Sequence, residues 1–194
     1  MSSDATNVAP GHSIADPGVL GLAGFALTTF VLSLHNSGIV PAAVFAVLGL
    51  ALFYGGIAQM LAGMWEFVKG NTFGALAFTS YGAFWMSFWY LVSSGAVKDA
   101  GSAGVGAFLL AWTIFTAYMT LAAAKGNRVV LLVFIALLIT FLLLTIGAFN
   151  GDAAGAGMTQ VGGYFGLVTA ALAWYGSAAG VVNSTWKRTV LPLG

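Results

Sequence analysis

Six runs of apolar residues divide the chain, at 18–34, 41–68, 73–97, 105–124, 129–149 and 162–182. Each is near the ~20 residues that a helix needs to cross the hydrocarbon of a bilayer. The breaks between them are polar or glycine-rich: Asn36-Ser37-Gly38, Lys69-Gly70-Asn71, then 98–104, 125–128 and 150–160. A membrane barrel strand would alternate lipid-facing and lumen-facing residues over ~10 positions, and these runs do not alternate. Because an unpaired backbone group in hydrocarbon is costly, helices are the remaining solution. The pattern predicts an all-α integral membrane protein, a six-transmembrane-helix bundle at 18–183. A polar amino-terminal tail at 1–17 precedes it, without the positive start of a secretory signal, and a short tail at 184–194 follows.

Composition narrows the function. The chain is 60% hydrophobic and 6% charged, against roughly 25% charge in a soluble domain. A net charge of +1 gives no basic face for nucleic acid, so the expected large-scale partner is the lipid bilayer. There is no cysteine, hence no disulfide framework and no thiolate metal site. Five basic residues, Lys69, Lys125, Arg128, Lys187 and Arg188, fall on the side shared by both termini, and Lys98 alone on the other. The positive-inside rule then places both termini in the cytoplasm of a multi-pass cell-membrane protein.

Catalysis would need a cluster of nucleophile, base or metal ligands, and two histidines and five carboxylates are scattered over the length. His12 lies in the tail and His35 at the end of the first run, and no histidine falls within a run to activate Ser80, Ser87 or Ser93. No enzyme activity, cofactor or metal is expected. Polar side chains inside a bilayer normally face protein or a water-filled path. Gln59, Gly63 and Glu66, spaced by four and three, lie on one helical face, a turn after Gly55 and Gly56. That face suits a permeation route. It equally suits packing, with Glu66 paired to Lys69 at the interface and Gln59 hydrogen-bonded between helices. The third run mixes Asn71, Thr79 and Ser80 with Phe78, Tyr81, Phe84 and Trp85, a surface able to pass a small amphiphile or simply to pack and anchor. Small residues such as Gly21, Gly24, Gly63 and Gly166 predict close helix approach.

The string from Phe53-Tyr54-Gly55-Gly56-Ile57-Ala58-Gln59 to Glu66, then Lys69-Gly70-Asn71-Thr72-Phe73-Gly74 and Ala77-Phe78-Thr79-Ser80-Tyr81-Gly82, resembles the acetate uptake transporter family, whose bacterial members are succinate–acetate permeases. Leu34-His35-Asn36, Lys125-Gly126-Asn127-Arg128 and Arg188-Thr189-Val190-Leu191-Pro192 extend the likeness over nearly the whole chain. The family's amino-terminal signature, Asn-Pro-Ala-Pro-Leu-Gly-Leu, corresponds to Asp16-Pro17-Gly18-Val19-Leu20-Gly21-Leu22 and differs at three positions. Asp16 replaces a neutral amide. It suits a helix N-cap with proline following, or a group coupled to transport.

The resemblance implies transport of acetate and related small monocarboxylates, with succinate as a further candidate, through a pathway within each protomer of a homohexamer. It also implies a hydrophobic constriction of Phe25, Tyr81 and Leu137. Gln59, Asn71, Thr79 and Ser80 are then candidates for polar contacts with the solute, and Glu66 and His35 for a coupled proton. A channel and a proton symporter both fit these residues. A membrane scaffold or sensor that moves no solute is the alternative from a different class.

Overall fold

In a computed structural model, residues 14–194 are described. Most of the expected tail, with Asp4 and His12, lies outside them. The helices are α1 (Pro17–Asn36), α2 (Ala43–Lys69), α3 (Thr72–Ser93), α4 (Ala96–Ala123), α5 (Arg128–Asn150) and α6 (Gly157–Trp186). Among the described residues there is no strand. Five of the six are long and apolar enough to cross a membrane. The exception, α3, is long enough at 22 residues, but its hydroxyls, glycines and polar-tipped aromatics lower its mean hydropathy.

Asp16 accepts from the Gly18 amide at 3.1 Å with Pro17 as the first helical residue, which starts α1. Asn71 and Asn127 cap α3 and α5 in the same way, through Gly74 N and Val130 N. These are donors that a helix start leaves without an intrahelical partner. One boundary differs from the polar break expected at 98–104: α3 ends earlier, and Gly95 turns the chain at φ 80°. Lys98 and Asp99 are then already helical, with Asp99 in the first turn where the helix dipole favours a carboxylate. The break in polarity survives only as a kink at Gly101, φ 58°. The last helix is also longer than its apolar run at both ends.

The helices close a ring in which α1 packs on α2 and α6, α6 on α5, α5 on α4, α4 on α3, and α3 on α2. Threonines meet on the α4–α6 side: Thr113 and Thr145 lie 2.9 Å apart across α4 and α5, and Thr140 and Thr169 3.2 Å apart across α5 and α6. Thr113, Thr140 and Thr169 each donate to the carbonyl one turn back in their own helix, so Thr145 is the donor of the first pair and the second pair is a contact of two hydroxyls whose hydrogens are already placed. On the outside, Phe45, Phe53, Ile114 and Leu121 are all more than 60% exposed, as a lipid-facing surface should be.

On the α1–α3 side the spacing is set by glycines. A Cβ on Gly82 would stand 2.8 Å from Met60 N and 2.9 Å from Gly56 O, both backbone atoms that cannot swing away. Gly82→Ala is therefore expected to cost ~1–3 kcal/mol as an overpacking change. Gly49→Ala, where nothing lies within 4 Å, should be neutral or stabilising by up to about 1 kcal/mol. Thermal unfolding of the two detergent-solubilised variants checks the contrast.

Candidate functional site: an axial row of cavities

Helix α2 is not uniform. Its first part, Ala43–Leu52, and its last, Gln59–Lys69, are α-helical, and Phe53–Ala58 between them is a π-helix. At ~100° per residue an unbroken α-helix would set Ala51 and Gln59 ~80° apart, and the wide turn absorbs one residue and closes that to ~20°. It thus brings Gln59 and Glu66 onto the face of Val47 and Ala51, the side buried in the bundle. Glycine lets neighbours reach the wide turn: a Cβ on Gly24 of α1 would stand 2.7 Å from Tyr54 O.

Inside the ring three cavities follow one another. The first, about 210 Å³, opens at the end where the termini lie, with Asp16, Lys69, Glu66 and Asn71 on its wall and Gln59 deeper. Phe25, Tyr81 and Leu137 line its inner end and also line a central void of about 30 Å³, the space of about one water molecule. Phe84 and Phe141 line both this void and a third cavity of about 520 Å³ at the far end. His35, Lys98 and Asp152 are on that far wall.

The constriction candidates converge: Phe25, Tyr81 and Leu137 are 5%, 3% and 4% exposed. Tyr81 is the hub, with its ring centroid 5.9 Å from Phe25, 5.3 Å from Phe115 and 6.1 Å from Phe134. Its hydroxyl lies 2.8 Å from the Thr116 oxygen. Since Thr116 donates to Trp112 O, Tyr81 is the donor of that pair.

The polar candidates divide. Glu66 is 1% exposed and accepts from Asn71 Nδ2 at 2.9 Å, while Lys69 pairs with Asp16 at 2.8 Å. The Glu66–Lys69 pairing considered from spacing is not formed. Asn71 is held on both sides, because its Oδ1 caps α3. Gln59, 1% exposed, has no partner for either amide atom, so the interhelical hydrogen bond considered for it is absent. Thr79 and Ser80 lie on the wall of none of the three cavities, and Thr79 packs against Gly63 of α2. His35 reaches Pro41 O at 2.7 Å through Nδ1, which therefore carries the hydrogen, leaving Nε2 free. In the signature, Gly21 lets α1 meet the Phe78 ring, Leu22 joins the first cavity wall, and Leu20 is exposed. Among the described residues no group of three His, Asp or Glu could hold a metal.

A model of the GPR1/FUN34/yaaH family matches residues 2–193. The chain belongs to that family. The succinate-acetate/proton symporter SatP of Escherichia coli (strain K12) is 43% identical over 188 residues, 93% of this chain and 96% of that protein. Ammonia transport outward protein 2 of Saccharomyces cerevisiae is 42% identical over 187 residues, 90% of this chain, which spans only 64% of the yeast protein's length. The solved structure of the bacterial acetate channel SatP superposes with a TM-score of 0.86 at 42% identity, covering 94% of this chain and all of that one. In keeping with the GPR1/FUN34/yaaH family, the chain is a multi-pass membrane protein built as a six-helix bundle.

Sequence reading missed Thr116 behind Tyr81, the aromatics Phe134 and Phe141 along the axis, and the orphaned Thr29, and it had Phe84 and Trp85 only as part of the mixed surface of the third run. Tyr81, Phe84 and Trp85 share a helical face at spacings of three and four, a signal that pointed to the row without giving its partners. The wide turn yields a paired prediction. Deleting Ile57 should convert it to α-helix and keep Glu66 facing the first cavity, and inserting one alanine after Ala58 should turn it away by ~100°. The cysteine-free chain allows Glu66→Cys to serve as the reporter: its reaction with a water-soluble thiol reagent should persist in the deletion and fall in the insertion.

Proposed function

We propose that this protein carries acetate and related small monocarboxylates, with succinate as a further solute, across the cell membrane through the axial row of cavities within one protomer. The observation that carries the reading is the arrangement along that axis: two cavities separated by an apolar neck of Phe25, Tyr81 and Leu137, with the unpartnered Gln59 amide at its near side. Relatives named for acetate and succinate–acetate transport support it. A methyl group suits such a neck, and the narrow void excludes broad or hydrated solutes. Gln59 can donate to a carboxylate and accept from a carboxylic acid. Asn71 acts mainly by holding Glu66, and Thr79 and Ser80 serve packing.

In this reading 18–183 forms the transport domain, both termini are cytoplasmic, and the protomers assemble as a homohexamer. The protein is not an enzyme. Glu66 is the group best suited to carry a coupled proton, because it is a buried carboxylate on the wall of the first cavity. His35, with Nε2 free on the far wall, is the second.

Uptake of labelled acetate into proteoliposomes, with and without an imposed pH gradient, tests the function and separates a channel from a symporter. For a symporter the gradient should accelerate wild-type uptake, and Glu66→Gln should remove that acceleration. Flux indifferent to both the gradient and the substitution would leave a channel. No uptake above empty vesicles would refute transport and favour the scaffold or sensor. For the neck, Leu137→Ala should widen the range of acids toward longer chains, and an unchanged range would remove Leu137 from it.

A further inference from the structure

Past the mouth of the first cavity α6 runs on, and the chain then folds back. A Cβ on Gly176 would stand 3.4 Å from Val129 Cγ1, which sets that turn of α6 level with the start of α5. Trp186 ends the helix ~10 residues later, an overhang of ~15 Å at the rise of an α-helix. Lys187 reverses the chain at φ 55°, and among the described residues it is the one residue other than glycine with positive φ. The returning segment, 188–193, is held by polar contacts. Asn183 of α6 makes three of them: its Oδ1 accepts from Val190 N at 2.7 Å and Leu191 N at 3.0 Å, and its Nδ2 donates to Leu191 O at 2.8 Å. The Tyr175 hydroxyl donates to Pro192 O at 2.8 Å. Val129 N, a donor that the start of α5 leaves without an intrahelical partner, donates to Leu193 O at 3.2 Å. The end of the segment reaches the cavity, where Leu193 stands on the wall beside Asn127, Val130 and Val133 of α5. α6 gives that wall only Gly176 and Gly180, so Leu193 supplies the apolar side chain that α6 lacks there.

We infer that residues 188–193 are a strap that closes the α5–α6 flank of the first cavity and lifts to open it. Its bonds are gathered on one side chain, so loss of the Asn183 contacts frees Val190 and Leu191 together. Little apolar surface holds it down: Leu191 and Leu193 are half-buried, and Arg188, Thr189, Val190 and Pro192 are exposed. A segment with few buried apolar contacts and backbone groups close to water belongs to the low-stability end of a fold. Its hinge is strained, because a lysine at positive φ is held there only by what surrounds it. The seated strap therefore balances against a released one, in which Lys187 relaxes and the freed backbone groups turn to water. The purpose of the strap, control of entry at this mouth, rests on the transport reading above. Its movement stands on the geometry alone.

Two substitutions off the cavity wall push this balance in opposite directions. Asn183→Leu removes the clasp at nearly constant volume. Lys187→Asn suits the left-handed hinge better and favours the seated strap, with Lys187→Gln, which loses the charge and keeps the strain, as its control. The cysteine-free chain allows Val130→Cys as a reporter beside Leu193, and Ser102→Cys, on the wall of the far cavity, as a remote one. Modification by a water-soluble thiol reagent follows the open fraction when opening and closing are fast. At Val130→Cys it should quicken about tenfold with Asn183→Leu, the scale of one or two net hydrogen bonds. It should slow about threefold with Lys187→Asn and keep its rate with Lys187→Gln. At Ser102→Cys all three substitutions should leave the rate alone. Labelled-acetate uptake into proteoliposomes, measured without the reporters, should be fastest with Asn183→Leu and slowest with Lys187→Asn.

Equal quickening at both reporters would mean a general loosening of the bundle, and would overturn the strap. So would a Val130→Cys rate that no substitution changes, or one that Lys187→Asn moves in the same direction as Asn183→Leu. If Asn183→Leu does not fold, Tyr175→Phe, which removes a single clasp bond at an exposed ring, takes its place with a quickening of about threefold. Ordered thiol rates in a protein that passes no acetate would refute transport and leave the moving strap standing. Ordered thiol rates with uptake indifferent to all the substitutions would refute its control of entry.

Discussion

Inside a bilayer every polar group must find its partner within the protein, and this constraint organises the whole bundle. Most of the buried hydroxyls obey it by donating to the carbonyl one turn back in their own helix, as Thr28, Thr113, Thr116, Thr140 and Thr169 do. Against that background the exceptions carry information. Gln59, Thr29 and Trp85 have buried polar atoms without partners and lie along the axis on the walls of the first cavity and the central void. Thr79, the other residue so placed, is pressed against Gly63 away from the axis. Satisfaction of polar groups is nearly complete in the walls and fails where a solute would travel.

The same constraint explains the charges. Among the described residues the one salt bridge, Asp16–Lys69, joins the start of α1 to the end of α2, where both side chains still reach water. Exposure of that kind makes the pair a weak contributor to stability. Its structural consequence is to leave Glu66 without a cationic partner, held by the neutral amide of Asn71. The Asp16 that distinguishes this chain from the family signature thereby bears on Glu66 indirectly, by occupying Lys69.

The six helices were legible because uninterrupted apolar runs near the bilayer's thickness leave a chain few alternatives, and residues such as Gly70 and Gly151 mark the ends plainly. The α3–α4 boundary was not, since Lys98 and Asp99 read as a loop by polarity alone, whereas helix dipole and the turn at Gly95 make them the first turn of α4. Gln59 and Glu66 were found by their spacing, but spacing could not tell path from packing. That distinction depends on whether a partner lies across the bundle, which is a tertiary fact. The π-helix at Phe53–Ala58 was also hidden: the paired glycines permit it, and only the neighbours Gly24 and Gly82 make room for it. The neck residues came from family likeness rather than from pattern, and Thr29 and Trp85 look like ordinary packing residues until their surroundings are known.

The neck has one rigid wall and one soft one, and this bears on how it could open. Tyr81 is fixed by its hydrogen bond to Thr116 and by rings on several sides, including Phe141, whose plane lies 13° from its own. Rotating it would break a hydrogen bond in a buried site and disturb several aromatic contacts together. Phe25 has a single ring neighbour there, Tyr81 itself, and Leu137 is a branched aliphatic chain with no polar atom to satisfy. A passing methyl group can be accommodated by rotamer changes of Leu137 or Phe25 that expose no donor, whereas displacement of Tyr81 would create a new orphan. The fixed tyrosine therefore sets the position of the neck, and the two apolar side chains opposite it set how wide it becomes.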